Sequence, residues 1–207
     1  MNKDAIALAE RALEHFVNKT TDQAEATMEI SLSAYRDEER YAREIERVFK
    51  HLPLALALSL ELSEAGSYKA MTVMGVPVLI VRGEDLKIRA MLNVCRHRGA
   101  KLCADGEGKK RVFACPYHAW TYDHKGALKG RYGGDTFGEI ANDQYGLTVL
   151  HCEERSGIIW ASLTPGDFFD VDAWLGDFGE ELNTLDLKNW HLFEQRDLPG
   201  PGWKVTM

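Results

Sequence analysis

Two short segments hold the residues of this chain best suited to metal chemistry: Cys95-Arg96-His97 and Cys115-Pro116-Tyr117-His118, a C-x-H pair and a C-x-x-H pair with residues 98 to 114 between them. Two thiolates and two imidazoles form a soft-to-borderline set of four donors. A structural zinc site with two Cys and two His is the first competitor. Zinc sites usually space their cysteines by roughly two to four residues and their histidines by roughly three to five, whereas here each segment supplies one of each. The mixed pairing suits a two-iron, two-sulfide cluster. In that reading the sulfurs of Cys95 and Cys115 hold one iron and the imidazoles of His97 and His118 hold the other.

The histidines change the electron chemistry through formal charge. Two ferric ions, two sulfides, two thiolates and two neutral imidazoles sum to zero, whereas four thiolates around the same core leave two negative charges. An electron is added more easily to the neutral form, so histidine-ligated centres lie roughly between −150 and +300 mV, against about −400 mV for plant-type ferredoxins. Each imidazole also keeps one ring N–H through which a carboxylate or a protonation event can couple to the electron.

Over Asn93-Val94-Cys95-Arg96-His97-Arg98-Gly99-Ala100 and Cys115-Pro116-Tyr117-His118-Ala119-Trp120-Thr121-Tyr122 the chain resembles the Rieske 2Fe-2S domain. Within that family it is similar to the α subunits of aromatic-ring-hydroxylating oxygenases, in a C-x-H-R-G and a C-P-Y-H-x-W pattern. The resemblance spans residues 33 to 165, with weaker matches through Gly75 to Arg82 and Gly126-Ala127-Leu128. It implies a Rieske-type cluster on Cys95, His97, Cys115 and His118, reduced by a ferredoxin or reductase. It also implies a mononuclear Fe(II) in a second domain, usually of a neighbouring subunit. The implied reaction is hydroxylation, dihydroxylation or demethylation of an aromatic or other apolar substrate, as in aromatic hydrocarbon catabolism. The implied assembly is a homo-oligomer, a trimer of α subunits with or without a small β subunit.

Respiratory Rieske proteins carry an extra cysteine in each cluster loop and a serine whose hydroxyl reaches a sulfide. Here Ala100 and Tyr117 stand at the cysteine positions and Trp120 at the serine position. Fewer hydrogen bonds to sulfur imply a midpoint at the low end of the Rieske range, below about +150 mV. A free-standing Rieske ferredoxin is the main rival; such carriers are shorter and lack a long helical N-terminus and an acidic extension after Pro165. A structural zinc module ranks behind it.

Other residues receive plainer readings. Gly99 lets the backbone approach the sulfides, and Arg98 serves there or in a loop-anchoring ion pair. Tyr117 and Trp120 are packing residues, and Cys103 and Cys152 are small buried hydrophobes rather than ligands. His124 falls in an exposed turn. His15, His51, His124, His151 and His191 show no paired spacing with an Asp or Glu that would make a mononuclear iron site of two histidines and one carboxylate. The chain therefore reads as the N-terminal and Rieske portion of an enzyme, with no catalytic residue of its own.

The elements that must position the ligands follow from periodicity. Residues 5 to 17 and 35 to 49 repeat apolar side chains at helical intervals, with a solvated charged face from Arg36 to Arg47. Strand texture begins near Tyr68. It continues through Met71 to Val81 (with Gly75-Val76-Pro77 inside), Ile88 to Asn93, Arg111 to Ala114, Ala119 to Tyr122, Leu147 to Cys152 and Gly157 to Leu163. Asp170 to Asp186 reads as one helix, and Trp190 to Met207 as the opening of a strand. The expected fold is mostly β: a Rieske-type antiparallel module over 51–165, helices over 1–50, and the start of a truncated α+β catalytic domain over 166–207.

Composition narrows the rest. The 32 Asp and Glu outnumber the 25 Lys and Arg, giving −7 over 207 residues, a balance that repels a phosphate backbone and argues against nucleic acid. The most apolar run, Leu52 to Leu62, is about half the length that spans a bilayer, and the mixed Met1 to Glu14 stretch is unlike a secretory signal. A cytoplasmic address is expected, without a membrane partner. Four cysteines in such a chain argue against a disulfide framework and leave metal binding open.

Overall fold

The run Val78-Leu79-Ile80-Val81 lacks polar alternation because the strand it forms is covered on both faces. In the computed structural model, which describes residues 3–134, 138, 140–196 and 198–206, all four are fully buried. Val78 and Ile80 enter one hydrophobic core, with Leu62, Ala90, Leu150 and Ile159. Leu79 and Val81 enter the other, with Met91, Cys95, Cys115, Trp120 and Tyr122. The candidate ligands thus hang from the second core.

The chain falls into two compact units, 1–37 with 201–207, and 38–200. The larger unit holds three antiparallel sheets. Strands β1 (Leu54–Leu58), β11 (Ile158–Ala161) and β10 (Cys152–Arg155) form the first, in that order. The second runs β5 (Gly106–Lys109), β2 (Ser67–Val73), β3 (Val76–Arg82), β4 (Ile88–Leu92) and β9 (Val149–Leu150). The third is β6 (Phe113–Ala114), β7 (Thr121–Tyr122) and β8 (Leu128–Gly130). β2 and β3 form a tight hairpin around Met74-Gly75, both at positive φ, with Val73 opposite Val76. An ion pair between buried Arg82 and partly exposed Glu154 joins the first two sheets: Arg82 on β3 donates two hydrogen bonds to Glu154 on β10 at 2.7 and 2.8 Å, and further ones to the carbonyls of Leu62 at 2.6 Å and Leu86 at 2.9 Å.

Several boundaries differ from the sequence reading for local reasons. Gly106–Lys109 pairs with β2 although two of its four residues are glycine, since register with Ser67 to Ala70 supplies its hydrogen bonds. The expected strand from Leu147 to Cys152 divides at His151 between two sheets. The expected helix from Asp170 to Asp186 is two, α4 (Val171–Leu175) and α5 (Phe178–Thr184), separated at Gly176, where φ is +52°. Asp170 caps α4 through the Ala173 N–H at 3.0 Å. From Trp190 onward no strand forms among the described residues; a short helix, α6 (Trp203–Thr206), stands there instead, and Asp197 and Met207 lie outside the described residues.

The 35–49 helix is also interrupted. α2 (Ser33–Arg36) ends at an extended Asp37, and α3 (Glu38–Glu44) runs into a π-turn over Ile45–Phe49. In the smaller unit, α1 (Lys3–Asn18) covers the expected N-terminal helix, and its end is fastened by Arg11 and His15 to Asp22 at 2.5 and 2.9 Å.

Candidate metal centre

Two loops present the four candidate residues, and their backbones repeat one turn. After β4 the first loop closes with the Cys95 N–H on the Ala100 carbonyl (2.8 Å) and the Gly99 N–H on the Cys95 carbonyl (3.0 Å). Between β6 and β7 the second closes with the Cys115 N–H on the Trp120 carbonyl (2.8 Å) and the Ala119 N–H on the Cys115 carbonyl (2.9 Å). The fourth residue after each cysteine sits in the left-handed region: Gly99 at φ +71° and Ala119 at φ +51°. The positive φ by itself calls for glycine at position 99. Ala119 adopts the same region at a steric cost of about 1 kcal/mol. Ala119→Gly is expected to raise thermal stability modestly, by at most about 1 kcal/mol after the glycine's greater unfolded-state entropy is counted, as read from a melting curve; a loss of stability would contradict that.

The turns bring the two histidines into contact and set both cysteines in one hydrophobic core. Cys95 and Cys115 are free thiols, 2% and 4% exposed. The His97 and His118 rings stand nearly edge-to-face, 4.7 Å between centres. With metal–imidazole bonds of about 2.1 Å, two rings on one ion would have centres roughly 4–5 Å apart. Buried Nδ1 of His118 has no hydrogen-bond partner, as expected of a nitrogen reserved for a metal, since an orphaned buried acceptor otherwise costs stability. A two-iron core asks for two separate pairs, and the donors present fit it.

Aromatic rings brace the imidazoles. Trp120, fully buried, lies parallel to His97 with centres 4.9 Å apart and meets Tyr145 edge-on at 5.7 Å. Tyr117 covers His118 at 3.7 Å between centres yet is 59% exposed; it belongs to the outer surface rather than the core, because the turn points it away from the sheets. Desolvation, then His118 and Arg98, hold His97 below the usual histidine range, which favours the neutral imidazole. Arg98 meets no carboxylate, so the ion-pair reading of it does not hold among the described residues.

Two residues that the sequence reading had quoted only as motif neighbours support the first loop. Asn93, fully buried, accepts from the N–H groups of Leu102 and Cys103 at 3.2 and 3.1 Å and donates to the Cys103 carbonyl at 2.8 Å. Tyr122, fully buried, accepts the Arg96 N–H at 3.1 Å, which leaves its own proton for the Cys95 sulfur at 3.4 Å. Burial, then that contact, push the phenol well above its ordinary pKa, so it remains a donor. A donor to sulfur stabilises the electron-rich reduced state. Tyr122→Phe is expected to lower the midpoint of a cluster held here by on the order of 50 mV, one charge-assisted hydrogen bond's differential of about 1 kcal/mol. A redox titration showing an unchanged or higher midpoint would contradict the role.

The remaining candidates lie elsewhere. Cys103 is buried, and burial raises its thiol pKa. Cys152 is half-buried and opens β10 rather than ending a strand, with burial pushing its pKa up to about 11. His124, expected at the surface, is 5% exposed and shares a hydrogen bond with the Lys110 carbonyl at 2.7 Å, because its turn folds back over Phe113. His51 pairs with Asp167 at 2.7 Å, and His151 with Glu153 at 3.1 Å and the Phe169 carbonyl at 2.9 Å.

This pair of sheet-borne loops, each giving one cysteine and one histidine, belongs to a Rieske 2Fe-2S domain, and that family matches residues 53–133. Over a longer stretch the chain is similar to subunits of Rieske oxygenases. It is 31% identical over 172 residues to the glycine betaine monooxygenase oxygenase subunit of Chromohalobacter salexigens, covering 76% of this chain and 38% of that protein. It is 34% identical over 145 residues to the benzene 1,2-dioxygenase α subunit of Pseudomonas putida, covering 69% and 32%. Among solved structures, a quaternary ammonium Rieske monooxygenase superposes with a TM-score of 0.70 at 30% identity, over 75% of this chain and 43% of that one. Naphthalene 1,2-dioxygenase from a Rhodococcus species gives 0.66 at 32%, over 71% and 34%. The chain thus spans about a third to two fifths of the length of these relatives, and a Rieske domain implies a 2Fe-2S cluster.

Proposed function

We propose that Cys95 and Cys115 hold one iron of that cluster and His97 and His118 the other, and that the chain is the electron-relaying part of a Rieske oxygenase α subunit. A cluster held there supplies one-electron transfer. The residues of the chain do the rest: the two turns fix the thiols, Trp120 and Tyr117 orient the imidazoles, Tyr122 donates toward one sulfur, and the second core keeps water from the thiolates. The observation that carries the assignment is the partnerless buried Nδ1 of His118 beside His97, with two free buried thiols on matching turns.

In the whole protein electrons would arrive from a ferredoxin or reductase and leave for a mononuclear non-heme iron. The domain limits at 51–165 and 166–207, the α-subunit trimer with or without a small β subunit, and a cytoplasmic address belong to the same proposal. Among the described residues no helix is long and apolar enough to cross a membrane. The oxidised substrate is aromatic or otherwise apolar in this reading; relatives named for glycine betaine and carnitine extend the range to quaternary ammonium compounds.

Anaerobic purification tests the proposal directly. About two irons per chain are expected, with the visible spectrum and the reduced-state EPR signal of a histidine-ligated cluster; a colourless protein binding one zinc would overturn it. His118→Cys adds a negative charge to the cluster's surroundings and is expected to lower the midpoint by on the order of 100 mV or more. An unchanged midpoint would remove His118 from the ligand set.

A further inference from the structure

Turns seldom bury their polar residues, yet His124 is 5% exposed. Its Nε2–H donates to the Lys110 carbonyl at 2.7 Å, since a carbonyl can only accept. Three segments meet at that bond. The Lys110 N–H returns to the Gly66 carbonyl at 2.9 Å, and a Cβ at Gly66 would stand 2.9 Å from the Lys110 oxygen and 3.6 Å from Cε1 of His124. The Asp123 carboxylate closes the turn by accepting the Lys125 and Ala127 N–H groups at 2.9 Å each, so the imidazole projects from a fixed base. Nδ1 stands 3.8 Å from Glu84, whose side chain is largely exposed, which makes the Nε2 bond the clamp.

Register carries this contact to the metal centre. Strands β6 and β7 have two residues each and pair Phe113 with Tyr122 and Ala114 with Thr121. The second loop closes one end of that hairpin, and the His124–Lys110 bond closes the other. Phe113 and Tyr122, directly opposite, face the same side, and both are fully buried in the core that holds Cys95. The Phe113 ring is held edge-on between Tyr68 at 5.5 Å and His124 at 6.2 Å.

We infer that His124 is a positioning residue for the donor to sulfur: by closing the base of the hairpin and backing Phe113, it keeps the Tyr122 hydroxyl on Cys95 at 3.4 Å. The inference rests on the cluster assignment proposed above and adds a residue outside both loops that tunes the cluster. So short a hairpin is marginal by itself, and a hydrogen bond weakens steeply as its angle and length degrade. Without the imidazole the turn lifts from Lys110, and Tyr122, two residues before His124, moves with it.

A double-mutant cycle on the midpoint of the cluster-bearing protein tests this. EPR of the reduced state first establishes the cluster in each variant. His124→Leu is expected to lower the midpoint, in the direction of Tyr122→Phe and by less, whereas His124→Gln, whose amide N–H takes the place of Nε2–H, keeps it. In the Tyr122→Phe background His124→Leu leaves the midpoint unchanged, because no hydroxyl remains to misplace. A role confined to packing would lower the melting temperature and leave the midpoint of His124→Leu where it was. That result, or an equal drop with and without the Tyr122 hydroxyl, would overturn the inference while leaving the cluster in place. Should His124→Leu fail to fold, His124→Asn, polar but too short for the Lys110 carbonyl, is held to the same outcomes. Absence of a cluster from the unsubstituted protein would sink the assignment, and this role with it.

Discussion

Arg82→Met is expected to lower the unfolding free energy by about 2–3 kcal/mol, chiefly because it strands the backbone carbonyls of Leu62 and Leu86 that the guanidinium now satisfies, while the partly exposed Glu154 carboxylate turns to water. Arg82 is 8% exposed, so little water reaches the vacated site. Denaturant unfolding should show a lower midpoint at an unchanged m-value; a loss under about 1 kcal/mol would mean the pair behaves like a surface ion pair. The dependence on pH is a second check. Arg82 holds Glu154 below the usual carboxylate range, so the pair's contribution is present above the unfolded glutamate pKa of about 4.3 and is lost as pH falls through the lower folded value. The variant should lack that part of the acid sensitivity.

Asn93→Ala is expected to cost about 3 kcal/mol and to loosen the metal centre. One amide side chain satisfies two N–H groups and one carbonyl of Leu102 and Cys103, all inside the protein, and each buried group left unsatisfied costs about 1–3 kcal/mol before relaxation. These bonds bind the far end of the first loop to the end of β4, so a cluster held at the proposed site should lose iron faster. Competition with a chelator measures it: release is expected to accelerate severalfold over the unsubstituted protein. Equal release rates would show that the two turns hold the centre without Asn93.

Much of this arrangement could be read from residue order. The cysteines and histidines announce themselves because few other arrangements use one of each per loop, and the apolar run in β3 announces a strand buried on both sides. What could not be read depends on partners distant in the chain. Gly106–Lys109 has no strand propensity and is a strand only because β2 offers it hydrogen bonds. Tyr122 gives no sign in sequence that its hydroxyl turns back to Cys95, twenty-seven residues earlier. His124 looked exposed because turns usually are, and only the packing of Phe113 buries it. The break between α4 and α5 had a signal in Gly176, whose weight against the helical periodicity could not be judged beforehand.

The repeated turn separates scaffold from wiring. Both loops close on bonds between main-chain atoms, Cys95 with Gly99 and Ala100, and Cys115 with Ala119 and Trp120, so the side chains between can be exchanged while the peptide path persists. The first loop places its imidazole two residues past the thiol and the second three, within one curve. An engineer can therefore vary donor type inside a fixed frame, and differences in redox behaviour among such variants report electronics rather than a reshaped loop.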